Sequence, residues 1–245
     1  MSVLAVIPAR YASSRLPGKP LVPLGGKPMI ERVWERVRQA KSISGVVVAT
    51  DDERIRSAVE AFGGEVVMTR SDHRCGTERI AEVAAARKSA DILVNVQGDE
   101  PLIEPAAIDE AVAAIQSDDE VNVATLAVPI AIPADIMEPN VVKVVLDFDG
   151  NALYFSRAPI PWVRDRGVRV HAQHLKHLGL YAFRRAALLE FATFPQGDLE
   201  RIEQLEQLRW LENGYRIRVA ETEHDSVSVD IPEDVARVEA LLSER

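Results

Sequence analysis

A short loop near the start of the chain gathers cations although the protein as a whole is acidic. PARYASSRLPGKPL, residues 8–21, carries Arg10, Arg15 and Lys19 in a chain of formal net charge −9. Arginine forks bind phosphate or carboxylate groups through paired hydrogen bonds, and lysine meets phosphate as a point charge. Gly18 lies between two prolines and lets a ligand approach the backbone. The loop therefore predicts a site for a strongly negative ligand. The alternative is a solvated basic loop.

The loop contains neither of the two common phosphate-binding patterns. GxxxxGK[ST] and GxGxxG are both absent from it. A nucleotide site of another type is therefore indicated.

Two acidic segments could hold a divalent cation beside such an anion. Asp99, in QGDEP, directly follows an apolar run, and Asp230, in SVSVDIPED, lies at another strand-to-helix junction. Mg²⁺ binds one or two protein carboxylates together with phosphate oxygens and water. We predict that Asp99 and Asp230 share one Mg²⁺. Alternatively, each segment only caps the helix that follows it, with Glu100 and Glu104 ahead of the first helix.

The other candidates are isolated side chains further along the chain. His177 comes just before the apolar run LGLYAF, and Tyr181 follows four residues later, so we predict that His177 hydrogen-bonds a substrate. Glu206 and Gln207 would by pattern alone lie on the solvated face of a helix. Cys75 is interpreted as a small filler residue, because no catalytic partner can be assigned around it.

Apolar runs alternate with helical patterns through the first half of the chain. The runs predict buried strands at residues 3–7, 45–50, 65–69, 91–96 and 122–128. This order predicts an α/β fold with a mostly parallel, doubly wound sheet. Ligands bind beyond the carboxyl ends of strands in such sheets, where the cationic loop and Asp99 both lie.

The pattern changes after about residue 140. Two strand-like runs flank Asp149-Gly150-Asn151, a hairpin signal, and a proline-rich aperiodic stretch follows. We predict a single domain over 1–245 with a small β-containing excursion at about 140–185. Its stretch 157–177 is predicted to contact a second subunit. Beyond it, residues 198–214 predict one helix that turns four residues inward: Leu199, Ile202, Leu205 and Leu208.

Composition limits the possible settings of the protein. With 245 residues, 47% of them hydrophobic, the chain can bury a full core. Its one cysteine excludes an intrachain disulfide and favours a reducing compartment, so we expect a cytoplasmic location. A pI of about 5.2 argues against a nucleic-acid surface, and no apolar run reaches the ~20 residues that span a membrane.

Several segments together resemble those of one known family. PARYASSRLPGKPL, CGTERI, VNVQGDEP, KVVLD, ALYFSRAPIPW, HLGLYAF, LEQLR and VDIPED occur in the order found in 3-deoxy-manno-octulosonate (Kdo) cytidylyltransferases, the CMP-Kdo synthetases. The resemblance implies a nucleotide-diphospho-sugar transferase fold and a Mg²⁺-dependent homodimer. It also implies the reaction of CTP with Kdo to give CMP-Kdo and pyrophosphate for lipopolysaccharide synthesis. Cys75 departs from the family pattern, which usually has serine there.

The resemblance assigns roles to individual positions. It implies nucleotide contacts from Ala9, Arg10, Arg15, Lys19, Gly76, Thr77 and Arg79. It implies sugar-acid contacts from Gln97, Arg157, Arg164, His177, Tyr181, Glu206 and Gln207. Asp99 and Asp230 would hold Mg²⁺, and Arg10 and Lys19 would join them in catalysis by offsetting charge on the leaving pyrophosphate.

Two alternatives stay open at this point. The protein could be a cytidylyltransferase for another acid sugar, such as 8-amino-Kdo or sialic acid. It could also be a non-catalytic nucleotide-binding protein on the same fold, although mere binding needs no second carboxylate.

Overall fold

The computed structural model describes residues 1–12, 15–164 and 174–243. Its strands are β1 Val3–Ala9, β2 Pro23–Leu24, β3 Lys27–Pro28, β4 Gly45–Thr50, β5 Glu65–Met68, β6 Ile92–Asn95, β7 Val123–Pro129, β8 Lys143–Leu146, β9 Ala152–Ser156, β10 Leu175–Arg184 and β11 Ile217–Glu221. Its α-helices are α1 Met29–Val37, α2 Glu53–Ala61, α3 Gly76–Ala86, α4 Pro105–Gln116, α5 Arg185–Phe191, α6 Asp198–Glu203, α7 Gln207–Glu212 and α8 Pro232–Ser243. Within these residues, none of the helices combines the length and apolar character that crossing a bilayer requires.

A mostly parallel sheet forms the centre of the fold, in the order β11-β7-β10-β6-β1-β4-β5. β1 pairs in parallel with both β4 and β6, β4 with β5, and β7 with β11. β10 alone on this path runs antiparallel, between β6 and β7. The predicted α/β class is confirmed. β10 also pairs antiparallel with β8, the first strand of the β8–β9 hairpin.

Helices cover both faces of the sheet, as the apolar runs predict for strands buried on two sides. Ala5 and Ile7 of β1 belong to one apolar cluster with side chains of α1, α2 and α4. Val6, between them, points to the opposite cluster with side chains of α3, α5 and α7. The alternation of the strand therefore supplies both cores. α8 packs separately, through Val238, on the segment around β2.

β1 and β6 end at the same edge of the sheet. Val6 is in register with Asn95, so the residues after both strands emerge side by side. Gly98 allows this approach, because a Cβ there would lie 3.0 Å from the carbonyl oxygen of Pro8. The cationic loop and the QGDEP segment consequently face one another.

The prediction of one helix over 198–214 is wrong, since α6 and α7 replace it. Gln204, between them, has a φ of 53°, a left-handed conformation that ends α6. Leu199 and Ile202, which the periodicity placed inward, are 38% and 78% exposed. The other two leucines of the predicted stripe are buried. Because of the break, the apolar side chains of the second half of the segment face the sheet, whereas those of the first half face solvent.

The predicted hairpin is present as β8 and β9, and β8 also pairs with β10. Lys143 is completely buried, and its Nζ donates to main-chain oxygens of Glu138, Val141 and Arg157 at 2.9, 2.5 and 2.7 Å. This ammonium joins the segment before β8 to the end of β9. Residues 165–173, part of the predicted excursion and subunit contact, lie outside the described residues.

Candidate functional site

A cavity of about 400 Å³ opens at the edge where β1 and β6 end, and it is called the candidate cavity below. Its lining comes from four places in the chain: Pro8, Ala9, Arg10, Ala12, Arg15, Lys19 and Pro20; Arg74, Cys75 and Gly76; Gln97, Gly98 and Asp99; and Glu206. A larger cavity of about 770 Å³ lies beside the β8–β9 hairpin, but its lining among the described residues contains neither lysine nor arginine. An anionic ligand therefore fits the smaller cavity.

The conformation of the cationic loop depends on Gly18. Its φ is +68°, and a Cβ there would meet the Tyr11 ring at 3.1 Å. The Gly18 amide donates to the carbonyl oxygen of Tyr11 at 3.0 Å, and Lys19 begins a single 3₁₀ turn. A side chain at this position would strain the backbone and press tightly on the ring. The turn directs Lys19 toward the carboxylates.

Lys19 joins the two aspartates that the sequence analysis paired. Its Nζ lies 2.6 Å from Asp99 Oδ2 and 3.1 Å from Asp230 Oδ1. Arg15 Nη2 donates to Asp230 Oδ1 at 2.9 Å. Although burial opposes it, the charges and hydrogen bonds of Asp99 and Asp230 raise the pKa of Lys19. The structure thus brings residues far apart in the chain around one protonated amine.

The start of α3 and Arg10 form another wall of the candidate cavity. Arg10 Nη2 donates to the carbonyl oxygen of His73 at 2.6 Å. Cys75 precedes α3 with extended backbone and without a capping side-chain bond, and Gly76 adds no side chain. Amide groups at such a helix start favour negative charge. Burial and, to a smaller extent, the charge of Glu206 raise the pKa of the Cys75 thiol. A thiol that stays protonated agrees with the interpretation of Cys75 as a filler residue.

Thr77 and Glu206 connect two walls of the cavity directly. Thr77 is buried, and its Oγ1 donates to Glu206 Oε2 at 2.8 Å. Gln207 is also buried. The prediction that Glu206 and Gln207 lie on the solvated face of a helix is therefore wrong for Gln207. The break between α6 and α7 accounts for the difference, because it reorients the segment.

Arg79 does not reach the candidate cavity, contrary to its assignment to the nucleotide. The side chain is completely buried, and burial lowers its pKa. Its Nη1 donates to Thr69 Oγ1 at 2.5 Å, and its Nη2 lies 2.9 Å from Asp51 Oδ1. Two residues along a helix turn a side chain to the far side, so Thr77 and Arg79 cannot face the same ligand.

His177 and Tyr181 lie in an aromatic group behind the cavity. The His177 ring centroid is 4.9 Å from that of Phe155 and 5.3 Å from that of Tyr181, and its Nε2 lies 3.0 Å from Thr125 Oγ1. Burial lowers the pKa of His177 to about 3, so the imidazole is neutral at pH 7. The buried Tyr181 hydroxyl has no hydrogen-bond partner among the described residues. An unpaired buried hydroxyl is costly, which suits a ligand contact.

Gln97 and Glu206 provide polar groups at the cavity surface near this aromatic group. Gln97 Nε2 donates to the carbonyl oxygen of Gly179 at 3.3 Å. Burial, followed by the charge of Glu206, raises the pKa of Tyr181 well above its usual range.

Arg157 is turned away from the candidate cavity, contrary to its assignment to the sugar acid. It donates to the main-chain oxygens of Pro139, Glu203 and Gln204 at 3.0, 2.7 and 3.2 Å. These carbonyls include the last residue of α6 and the left-handed residue after it, so Arg157 supports the helix break. Arg164 is exposed and immediately precedes residues outside the described ranges.

Three charged residues at or near the site were not assigned to it from the sequence. Arg74 lines the cavity, and its position just before CGTERI was the only available signal. Arg209 is completely buried behind the cavity, and the LEQLR motif that contains it was used only for Glu206 and Gln207. Glu100 is buried beside Asp99, and burial, with the charge of Asp99, raises its pKa to about 7.

Glu78, on α3, predicts a pH dependence of stability. Although burial opposes it, hydrogen bonds from Arg74 and Arg209 lower the pKa of Glu78 from 4.5 to about 2. A folded-state pKa below the unfolded value adds stability above about pH 4.5 that is lost as the pH falls toward 2. The contribution is at most roughly 3 kcal/mol. We expect Glu78→Gln to destabilise the protein at pH 7 and progressively less below pH ~4.5.

Urea unfolding at several pH values tests this expectation, with Glu53→Gln as the control. Glu53 is also on a helix and paired with arginine, but its side chain is 72% exposed. A destabilisation by Glu78→Gln that stays constant down to the lowest pH would contradict the assignment.

Comparison with known proteins gives a consistent result. The model of the cytidylyltransferase family matches residues 4–218. A 3-deoxy-manno-octulosonate cytidylyltransferase of Syntrophotalea carbinolica is 56% identical over 248 residues, 99% of this chain and 99% of the relative. One of Geobacter sulfurreducens is 53% identical over 246 residues, 97% of this chain and 98% of the relative.

A solved structure shares the fold over the full length. It is CMP:2-keto-3-deoxy-manno-octonic acid synthetase in complex with CTP, 44% identical, with a TM-score of 0.94. The match covers 100% of this chain and 99% of that one. The predicted type of α/β fold is thereby confirmed.

Proposed function

Because the chain belongs to the cytidylyltransferase family, we propose that it transfers CMP from CTP to the anomeric hydroxyl of Kdo and releases pyrophosphate. The observation that carries this proposal is the meeting of Arg15 and Lys19 with Asp99 and Asp230 beside one cavity. Relatives similar over almost the whole chain are named for this reaction. The product would serve lipopolysaccharide synthesis.

The chemistry needs alignment and charge stabilisation more than a covalent intermediate. The anomeric hydroxyl attacks the α-phosphorus of CTP and forms a phosphorus–oxygen bond. The bond from the α-phosphorus to the oxygen that bridges to the β-phosphorus breaks, pyrophosphate leaves in line, and the hydroxyl proton passes to solvent. Arg10, Arg15 and Lys19 bind the triphosphate, and Lys19 stays protonated because its pKa is raised. A preorganised cation stabilises charge as it grows on the leaving group.

The carboxylates of Asp99 and Asp230 fit a magnesium site. Both already approach one cation, the Lys19 ammonium, from separate segments of the chain. Two carboxylates with room for phosphate oxygens are a donor set that Mg²⁺ accepts. We propose that these residues hold the ion, which when bound neutralises phosphate and sugar carboxylate charge together.

The side of the cavity toward β10 would bind the sugar acid. Gln97 and Glu206 offer polar groups at its surface. The Tyr181 hydroxyl is available for a hydrogen bond, and neutral His177 orients the aromatic group through Thr125. Gln207, next to Glu206 in the chain, is buried, and Arg164 would approach only from the exposed end of the excursion.

A substrate panel tests the proposed function. Pyrophosphate release is measured with CTP, UTP, ATP and GTP against Kdo, 8-amino-Kdo and sialic acid, with Mg²⁺ present and then chelated. We expect turnover with CTP and Kdo that chelation abolishes. Faster turnover with another acid sugar would identify that sugar, and not Kdo, as the substrate. CTP binding without turnover on any sugar would favour the non-catalytic alternative.

We further propose that the protein is a homodimer that uses the hairpin region. Large exposed apolar side chains concentrate in this part of the sequence: Ile132, Met137, Phe148, Leu153, Trp162 and Val163. Phe148 and Pro161 also line the larger cavity beside the hairpin. Apolar surface of this kind is typical of subunit contacts.

Light scattering after size exclusion tests the dimer. The wild type is expected at twice the monomer mass, and Phe148→Asp with Trp162→Asp is expected to give monomers, because buried charges oppose association. Ile202→Asp is the matched control, since that apolar side chain is 78% exposed on α6. A monomeric wild type, or a dimer that survives the double change, would contradict this interface.

We also propose a cytoplasmic location. The single cysteine, Cys75, is buried and free, as in proteins that do not rely on disulfides.

A further inference from the structure

A buried ionic group lies directly behind the candidate cavity. Arg209 of α7 is completely buried. Its Nε and Nη2 donate to the two carboxylate oxygens of Glu200 on α6 at 2.7 and 2.6 Å. Its Nη1 donates to Glu78 Oε1 on α3 at 3.0 Å. One guanidinium thus joins three helices.

The same helices carry both walls of the cavity. Glu78 also accepts hydrogen bonds from the Arg74 amide and Nε, both at 2.9 Å, and Arg74 lines the cavity. One residue before Glu78, Thr77 bonds Glu206 across the cavity. Glu206 comes three residues before Arg209. Arg209 therefore holds the two elements that Thr77 and Glu206 connect at the surface.

The energetics of the Arg209–Glu200 pair point to geometry more than to stability. Buried ions lose their hydration, and apolar side chains of similar volume often stabilise a protein at least as well. A planar guanidinium that binds a carboxylate with two hydrogen bonds, however, sets both distance and orientation. Apolar contacts permit sliding that such paired bonds resist.

We propose that Arg209 is a positioning residue for the transfer reaction. It keeps the start of α7, with Glu206, at a set spacing from the start of α3, with Thr77 and Arg74. The nucleotide wall and the sugar wall of the cavity then stay aligned. This inference rests on the proposed function for the identity of the two ligands. A misplacement of about 1 Å can cost up to ~10²-fold in rate.

The test replaces the ionic group without leaving a buried charge unpaired. Arg209→Met with Glu200→Leu removes one cation and one carboxylate, and Glu78 keeps Arg74 as its partner. We expect the double variant to unfold within a few degrees of the wild type. We expect its KM for Kdo to rise and its kcat to fall, each about tenfold.

Arg184→Met is the control for the loss of an arginine that joins separate elements, because Arg184 binds main-chain oxygens and the Asp119 carboxylate but lies outside the cavity lining. Its kcat and KM are expected to match the wild type. A stable double variant with wild-type kcat and KM would overturn the proposal. If the double variant does not fold, Glu200→Gln decides: a smaller change in the same direction supports it, and unchanged kinetics overturn it.

Failure of the proposed function gives a different result. In that case the wild type itself releases no pyrophosphate from CTP with Kdo. Calorimetric titration with CTP then tests the positioning role of Arg209 separately from the transfer reaction. A roughly tenfold weaker affinity in the double variant supports the positioning role, and an equal affinity overturns it.

Discussion

Asp99→Asn and Asp230→Asn are each expected to lower pyrophosphate release from CTP and Kdo by a factor of ~10²–10³. Asparagine keeps the shape of the side chain but removes the charge that Mg²⁺ and Lys19 require. The fold should survive, because each carboxylate is partly exposed and the other still pairs with Lys19. Steady-state kinetics and thermal unfolding together test this prediction.

Asp119→Asn provides the control for a lost aspartate charge. Its side chain is 90% exposed and pairs with Arg184. It follows α4 and precedes β7, so it lies at the sheet edge opposite the candidate cavity. Near-wild-type Mg²⁺-dependent turnover in both Asp99→Asn and Asp230→Asn would remove the assignment of these carboxylates.

Lys19→Met should have a comparable effect, a loss of ~10²–10³ in kcat/KM. Methionine retains most of the aliphatic length but cannot neutralise charge on the departing pyrophosphate. CTP affinity should also fall, since a cation that meets the triphosphate is lost. Pyrophosphate-release kinetics and calorimetric titration with CTP measure the two effects separately.

Lys27→Met is a closely matched control for this change. Lys27 also pairs with two carboxylates, Glu31 and Glu35, but lies outside the lining of the candidate cavity. We expect its kinetics to equal those of the wild type. If Lys19→Met bound CTP and turned over as well as Lys27→Met, the role of the loop lysine would have to be abandoned.

Local sequence patterns were enough to predict the sheet strands of the first half and the edge of the sheet at which chemistry could occur. Continuous apolar runs mark strands buried on both faces, and that signal is local to each run. Parallel neighbours bring their carboxyl ends to one edge. Asp99 and the cationic loop could therefore be placed side by side from the amino-acid sequence alone. The strand-to-helix junction in SVSVDIPED supplied Asp230 as the second carboxylate.

The direction in which individual side chains point depends on how the elements pack, and the sequence did not reveal it. Arg79 belongs to a motif beside the cavity, yet its helix turns it into the core. Arg157 donates hydrogen bonds to the main-chain oxygens of Glu203 and Gln204. These oxygens lie within reach of one side chain because α6 ends at the left-handed residue Gln204. Local patterns cannot report such partners.

Arg209 is a second residue whose contacts local patterns did not reveal. Its partner Glu78 is 131 positions away in the chain. Both residues belong to segments that resemble the family, CGTERI and LEQLR, but neither segment indicates that the two side chains meet. A contact between residues so distant depends on how the helices pack against the sheet. Periodicity determines which face of one element is apolar, whereas the meeting of charges from separate elements is a property of their packing.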